Sequence, residues 1–154
     1  MVLGPLAGRP EADWQRTPSG KWTPAQIVEH LALSLEFSAR GFESGVGPRV
    51  RRPKTLFERI STWFVFGVAW IPPGVQAPRR ATPAARVEAV DAERHFRDGL
   101  IRWTSLESLL EARRGPEVFV HHPRMGDLSL EEWFRFHAWH CDHHARQIRR
   151  RLAG

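Results

Sequence analysis

The chain has 154 residues, enough to bury a core without staples and few enough for one domain. Its single cysteine, Cys141, excludes an internal disulfide framework and fits a reducing cytoplasm. The longest apolar run, Trp63 to Ile71, is about half of the ~20 residues that a membrane-spanning helix needs. A net charge of +6 and a pI near 11.1 would suit a polyanionic partner, yet only Lys21 and Lys54 are lysines and the arginines are scattered from Arg9 to Arg151. The densest group, Arg146 with Arg149, Arg150 and Arg151, falls where cations complement the end of a helix. The expectation is a soluble cytoplasmic protein without a leader or membrane segment, with nucleic acid not its partner.

Met1 to Trp22 is punctuated by Gly4, Pro5, Gly8, Pro10, Pro18 and Gly20, so at most one short helical turn forms there, through Glu11 to Arg16. The first long helix opens at Thr23, with Pro24 at the first helical position, Gln26 closing a capping box, and Trp22 and Ile27 placed as a hydrophobic staple. Ile27, Leu31, Leu35 and Phe42 recur at helical spacing, His30 lies beside that stripe, and Ser44-Gly45 ends the helix. Gly45 to Pro53 reads as a loop. Lys54 to Ile71 reads as a helix, polar at Glu58 and Arg59 and apolar on all sides from Trp63 onward, so its end belongs in the core or beneath another subunit. Pro72-Pro73-Gly74 stops it, and a Pro- and Arg-rich surface linker leads to Ala81.

Thr82-Pro83 repeats the cap-and-proline signature and opens a helix of about thirty residues. Its expected buried side is Val87, Val90, Phe96, Leu100, Trp103, Leu106 and Leu110, and Arg113, Arg114, Gly115 and Pro116 signal its end. Glu117 to Asp127 is too irregular for a helix and too short to pair as a sheet, and reads as a loop; His121 and His122 within it read as exposed or structural. The last helix is capped by Ser129, with Glu132 closing a second capping box and Leu128 stapled to Trp133. Its inward stripe runs Leu130, Trp133 or Phe134, His137, His140 or Cys141, His144 and Ile148. Three long amphipathic helices, short loops and no convincing strand predict an all-α helix bundle over residues 1–154.

The stripe of the last helix carries the chemistry. Three imidazoles in a row, at His137, His140 and His144, must each find partners for two ring nitrogens, since a buried polar group left unsatisfied costs roughly 1–3 kcal/mol. A metal ion satisfies several at once. His140 and His144 are four apart, with Cβ atoms roughly 5–6 Å from each other, and can bind one ion together. The pair needs a third ligand, and periodicity places His30 only at the edge of its helix's inward face. Three imidazoles and one open position make a catalytic-type zinc site, and nickel or iron would also accept imidazole. HExxH, CxxC, Glu-x-x-His on a helix and GxSxG are all absent, which argues against zincins, zinc ribbons, di-iron carboxylate bundles and serine hydrolases.

Taken together, GKWTPAQIVEHLALS and HHPRMGDLSLEEWFRFHAWHCDHHARQI resemble the DinB/YfiT-like superfamily, in particular an uncharacterised DinB-like branch, over roughly Gly20 to Arg150. The resemblance implies a four-helix bundle with one metal ligand on the second helix and two, four residues apart, on the last. Carried over by position, those ligands are His30, His140 and His144, with His143 pointing sideways and His137 one turn away in the pocket. It also implies metal-dependent chemistry: thiol transfer with a low-molecular-weight thiol such as bacillithiol or mycothiol, maleylpyruvate isomerisation, or hydrolysis. Met1 to Trp22 departs from the pattern, being too short and broken for a full first helix. The expectation is therefore a late start, or a bundle completed by Lys54 to Ile71 or by a second copy in a homodimer.

The leading functional expectation is an enzyme whose metal, zinc before nickel or iron, activates a thiol or water. His137 is the candidate proton shuttle, and Glu29, Asp142 and Gln147 are candidate supports for the ligands. Trp133 and Trp139 read as core before they read as pocket walls. The rival is a non-catalytic dimeric bundle with a structural or vestigial metal site, in which His137 would be the nearest fourth ligand.

Overall fold

The computed structural model describes residues 2–18, 20–45, 50–68, 76–112 and 118–153. The described residues form five α-helices in chain order: α1 (Glu11–Trp14), α2 (Pro24–Ser44), α3 (Leu56–Trp63), α4 (Ala89–Ala112) and α5 (Leu130–Leu152). A single π-helical turn, Phe64–Val68, extends α3, and a two-stranded hairpin of β1 (Val120–His122) and β2 (Gly126–Leu128) precedes α5. The fold is the expected all-α bundle. No helix among the described residues is long and apolar enough to cross a membrane.

The caps of α2, α3 and α5 follow from local chemistry. Thr23, Thr55 and Ser129 each accept from the backbone N–H three residues on, and Gln26, Glu58 and Glu132 each reach back to the cap's own N–H. Gly45 stops α2 with φ +63°, a left-handed conformation that favours glycine. Among its described residues the N-terminal segment forms a 3₁₀ turn at Gly4–Leu6 and the short helix α1, yet it is packed. Val2, Leu6 and Trp14 are buried, the turn at Gly4–Leu6 lies on α5, and α1 lies on α2. An irregular segment thus covers part of the core where a first bundle helix was missing from the sequence pattern.

The principal packing is α2 against α4. Ala92, Phe96, Gly99, Trp103 and Leu106 face inward, and a Cβ at Gly99 would stand 3.3 Å from Leu35, so the two backbones approach closely there. The Trp103 indole donates to the Leu35 carbonyl at 2.8 Å, and outside this seam Arg102 pairs with Glu43 and His95 with Glu29. Two expected core positions are thereby corrected: Val90 is 67% and Leu100 38% exposed, because the inward stripe runs through Ala92 and Gly99 instead. The side chain of Leu110 and residues 113–116 lie outside the described ones.

Three further expectations are revised. The helix does not begin at Thr82, whose hydroxyl donates to the Pro78 carbonyl; it begins at Ala89. The carbonyls a longer helix would need are already taken, those of Ala84 and Ala85 by Gln26 Nε2 at 3.0 Å and that of Val87 by Gln15 Nε2 at 2.8 Å. The supposed loop before α5 contains a hairpin, registered Val120 to Leu128 and His122 to Gly126. What holds it is tertiary and turn bonding: Trp133 Nε1 donates to the Val120 carbonyl, and His122 Nδ1 accepts from the N–H groups of Arg124 and Met125. Finally, the helix expected from Lys54 begins at Leu56, and its polar first turn does not simply face solvent. Glu58 is buried against Arg52, while Leu56, Phe57, Ile60 and Trp63 are 71, 56, 48 and 61% exposed. Residues 69–75, which hold the end of the apolar run and its expected stop at Pro72-Pro73-Gly74, lie outside the described ones.

Candidate metal centre

α2 carries His30 and α5 carries His140 and His144 one turn apart, and the packing of these helices brings the three rings together. Each ring is about nine-tenths buried. His140 Nε2 lies 3.2 Å from His30 Nε2 and 3.1 Å from His144 Nε2, and one potential ligand atom from each ring lies within 4.8 Å of the others. The rings meet at steep angles, 89° for His30 with His140, 70° for His30 with His144 and 66° for His140 with His144, so nitrogens converge where stacked faces would not bring them together.

Counting protons shows what the cluster offers. His30 Nδ1 donates to the Ala81 carbonyl at 2.6 Å, which leaves its Nε2 a lone pair. His144 Nδ1 faces Gln147 Oε1 at 2.9 Å, and the Gln147 amide nitrogen faces His143 Nε2 at 3.0 Å; with the amide assigned from this network, His144 Nε2 is a lone pair too. His140 Nδ1 is buried with no hydrogen-bond partner among the described residues, and its ring is stacked on Phe136 at 4.9 Å. A hydrogen on His140 Nε2 could serve only one of the two lone pairs facing it. Protonation is no escape, because burial first, and mutual repulsion second, pushes His144 down to about 3 and His140 well below its ordinary range; burial alone lowers His30.

The donor set therefore fits a divalent cation. The two separations at His140 Nε2 are close to the ~3.3 Å edge of a tetrahedron with metal–nitrogen bonds of about 2.0–2.1 Å, and His30 and His144 turn lone pairs towards it. The partners of the rings are a carbonyl, an amide and aromatic faces, including Trp22 at 5.0 Å from His30, so the protein adds no negative charge through them.

The other residues singled out in the sequence are placed as follows. His137 stands outside the cluster. Its Nε2 is hydrogen-bonded with Ser38 Oγ at 2.8 Å, its ring is stacked on Trp133, and burial with His122 nearby pushes it down to about 3. Of the three expected supports, only Gln147 reaches the cluster; Glu29 pairs with His95 and Asp142 with Arg146. The Ala81 carbonyl was not foreseen, since nothing in a sequence marks a carbonyl 51 residues away. His143 supports Gln147 and is stacked on Trp139. His121 pairs with Asp127, and His122 packs its ring on Trp133 and Phe136; neither joins the cluster. Cys141, raised to about 11 by burial, is a thiol.

No protein of curated function and no solved structure matches the chain. The family model of the DinB superfamily matches residues 1–148, which span α1 to α5 and include His30, His140 and His144. A helical bundle that gathers these histidines from α2 and α5, matched by that model over nearly its whole length, belongs to the DinB superfamily.

Proposed function

We propose that His30, His140 and His144 hold one divalent metal ion, zinc before nickel or iron, and that the protein is a metal-dependent enzyme of transferase or hydrolase type. The observation that carries this reading is the convergence of three Nε2 atoms with two of their tautomers set by bonds at Nδ1. A metal held there supplies Lewis acidity, which draws the proton of a thiol or a water below its ordinary pKa. A low-molecular-weight thiol is the co-substrate this assignment favours. The chain's own residues do the rest. α2 and α5 fix the ligands, and the aromatic faces of Trp22 and Phe136 keep bulk water from the rings. His137, one turn before His140, is the proton acceptor in this scheme. Its Nε2 lies 2.8 Å from Ser38 Oγ, a hydroxyl that can relay a proton with it.

The second reading is a non-catalytic dimeric bundle, and the exposed apolar face of α3 is what favours it. A homodimer formed through that face is compatible with either reading. Against a purely structural metal site stands the engagement of His137 with Ser38, which withholds the nearest fourth ligand.

Elemental analysis of untagged protein tests the assignment. Wild type should carry about one metal per chain, and His30→Ala and His140→Ala should each lose it while far-ultraviolet circular dichroism stays helical. Metal in the wild type would direct screening to thiol cofactors and to hydrolysable esters and amides. Absence of metal after reconstitution with zinc, nickel or iron would leave the non-catalytic bundle.

A further inference from the structure

The three imidazoles are supported unequally. His30 is held by a backbone carbonyl, which no side-chain substitution removes, and His140 Nδ1 has no partner among the described residues. His144 alone depends on a side chain, Gln147. Gln147 bridges two rings: its amide nitrogen lies 3.0 Å from His143 Nε2 and its Oε1 faces His144 Nδ1 at 2.9 Å. His143 is itself stacked on Trp139 at 5.5 Å and stands edge-on to His144 at 5.2 Å. The amide as placed donates to a His143 protonated at Nδ1 and accepts from a His144 protonated at Nδ1, and turning it over would require both rings to exchange tautomers together. An oxygen fixed opposite Nδ1 admits only the His144 tautomer protonated there.

We propose that Gln147 is a positioning residue for the metal centre, setting the tautomer and ring orientation of His144, and that His143 is the anchor of Gln147 and not a ligand. The proposal rests on the reading of His30, His140 and His144 as a metal site. It gives the run Cys141-Asp142-His143-His144 a division of labour between adjacent histidines, one outward to hold a support and one inward to bind. Gln147 provides this hold without charge. A carboxylate in its place would keep the bond and make the imidazole a stronger donor.

The test uses the full-length chain with Gln147→Leu, Gln147→Glu and His143→Phe, and His140→Ala as the ligand control. Long-range proton–nitrogen spectra of the metal-free proteins read the His144 tautomer, and zinc affinity is read by competition with a chromophoric chelator. Wild type should show His144 protonated at Nδ1. Gln147→Leu should show a mixture of tautomers and about 10–100-fold weaker zinc binding, the loss usual when such a partner is removed. Gln147→Glu should restore the tautomer and bind zinc at least as tightly as wild type, a rescue that general packing would not produce. His143→Phe should weaken zinc binding less than Gln147→Leu, since Gln147 then keeps one of its two bonds. Gln147→Ala replaces the leucine variant if that fails to fold. Wild-type tautomer and affinity in the truncated variants, with His140→Ala losing zinc, would overturn the role of Gln147 and leave the metal site standing. Zinc binding by wild type no better than by His140→Ala would overturn both.

Discussion

An imidazole buried among imidazoles has no good protonation state of its own, and acid makes this measurable. His122, His137 and His144 are each pushed down to about 3, with burial as the leading cause, while His30 and His140 are lowered too. Their ordinary value near 6.5 returns in the unfolded chain. For a group whose pKa is depressed by folding, the unfolded state binds protons first as pH falls, so stability is fully present above about 6.5 and is lost towards 3. Metal-free protein should therefore lose denaturant resistance steeply between pH 7 and pH 5, with the unfolded state taking up on the order of four more protons than the folded one. Urea unfolding across that range measures the slope, and a flat profile would mean that these rings are solvated. The residue-level signal was legible in the sequence for His140 and His144 because their relation is local, four residues on one helix. His30 needed the family resemblance, since its contact to His140 crosses 110 residues and periodicity placed it only at an edge.

Helix faces obey the same limit. α2 and α5 read out correctly because each carries its own start, a capping box that bonds within four residues. The start of α4 depends on Gln15 and Gln26, side chains from elsewhere that occupy its upstream carbonyls, and the hairpin depends on Trp133 and on a turn closed by His122. Neither leaves a trace in local periodicity. The shifted inward stripe of α4 follows from a glycine, which hydropathy does not score as core. Gly99→Leu should cost about 1–3 kcal/mol, because added methylenes must part α4 from Leu35. Val90→Lys and Leu100→Gln should change stability by no more than about 0.5 kcal/mol, as substitutions at exposed positions do. Chemical denaturation of the three variants checks the order, and a large loss at Leu100 would restore the stripe expected from the sequence.

At the scale of the whole molecule, α3 poses the remaining question, because its hold on the bundle is strongly ionic while much of its apolar surface faces outward. Two adjacent arginines form the clasp. Arg51 makes a two-pronged pair with Glu132 at the cap of α5, and Arg52 does the same with Glu58 at the cap of α3, with Asp127 of β2 at 3.8 Å. The Arg52 guanidinium and the Thr55 bonds hold Glu58 down to about 2, so the clasp keeps its charge at any ordinary pH. The clasp holds the start of α3 in place, and its outward side shows Leu56, Phe57, Ile60 and Trp63. A homodimer that covers this face is the proposal the exposed side chains support, since a second copy offers the same face to match it. Homodimerisation through α3 predicts that sedimentation at micromolar concentration gives twice the monomer mass, and that Ile60→Lys with Trp63→Lys gives monomers. Those substitutions lie on exposed positions away from α2 and α5, so helicity and metal content should stay at wild-type values. A wild type that sediments as a monomer would remove the dimer, and a variant that loses metal along with its partner would show instead that the site depends on the assembly.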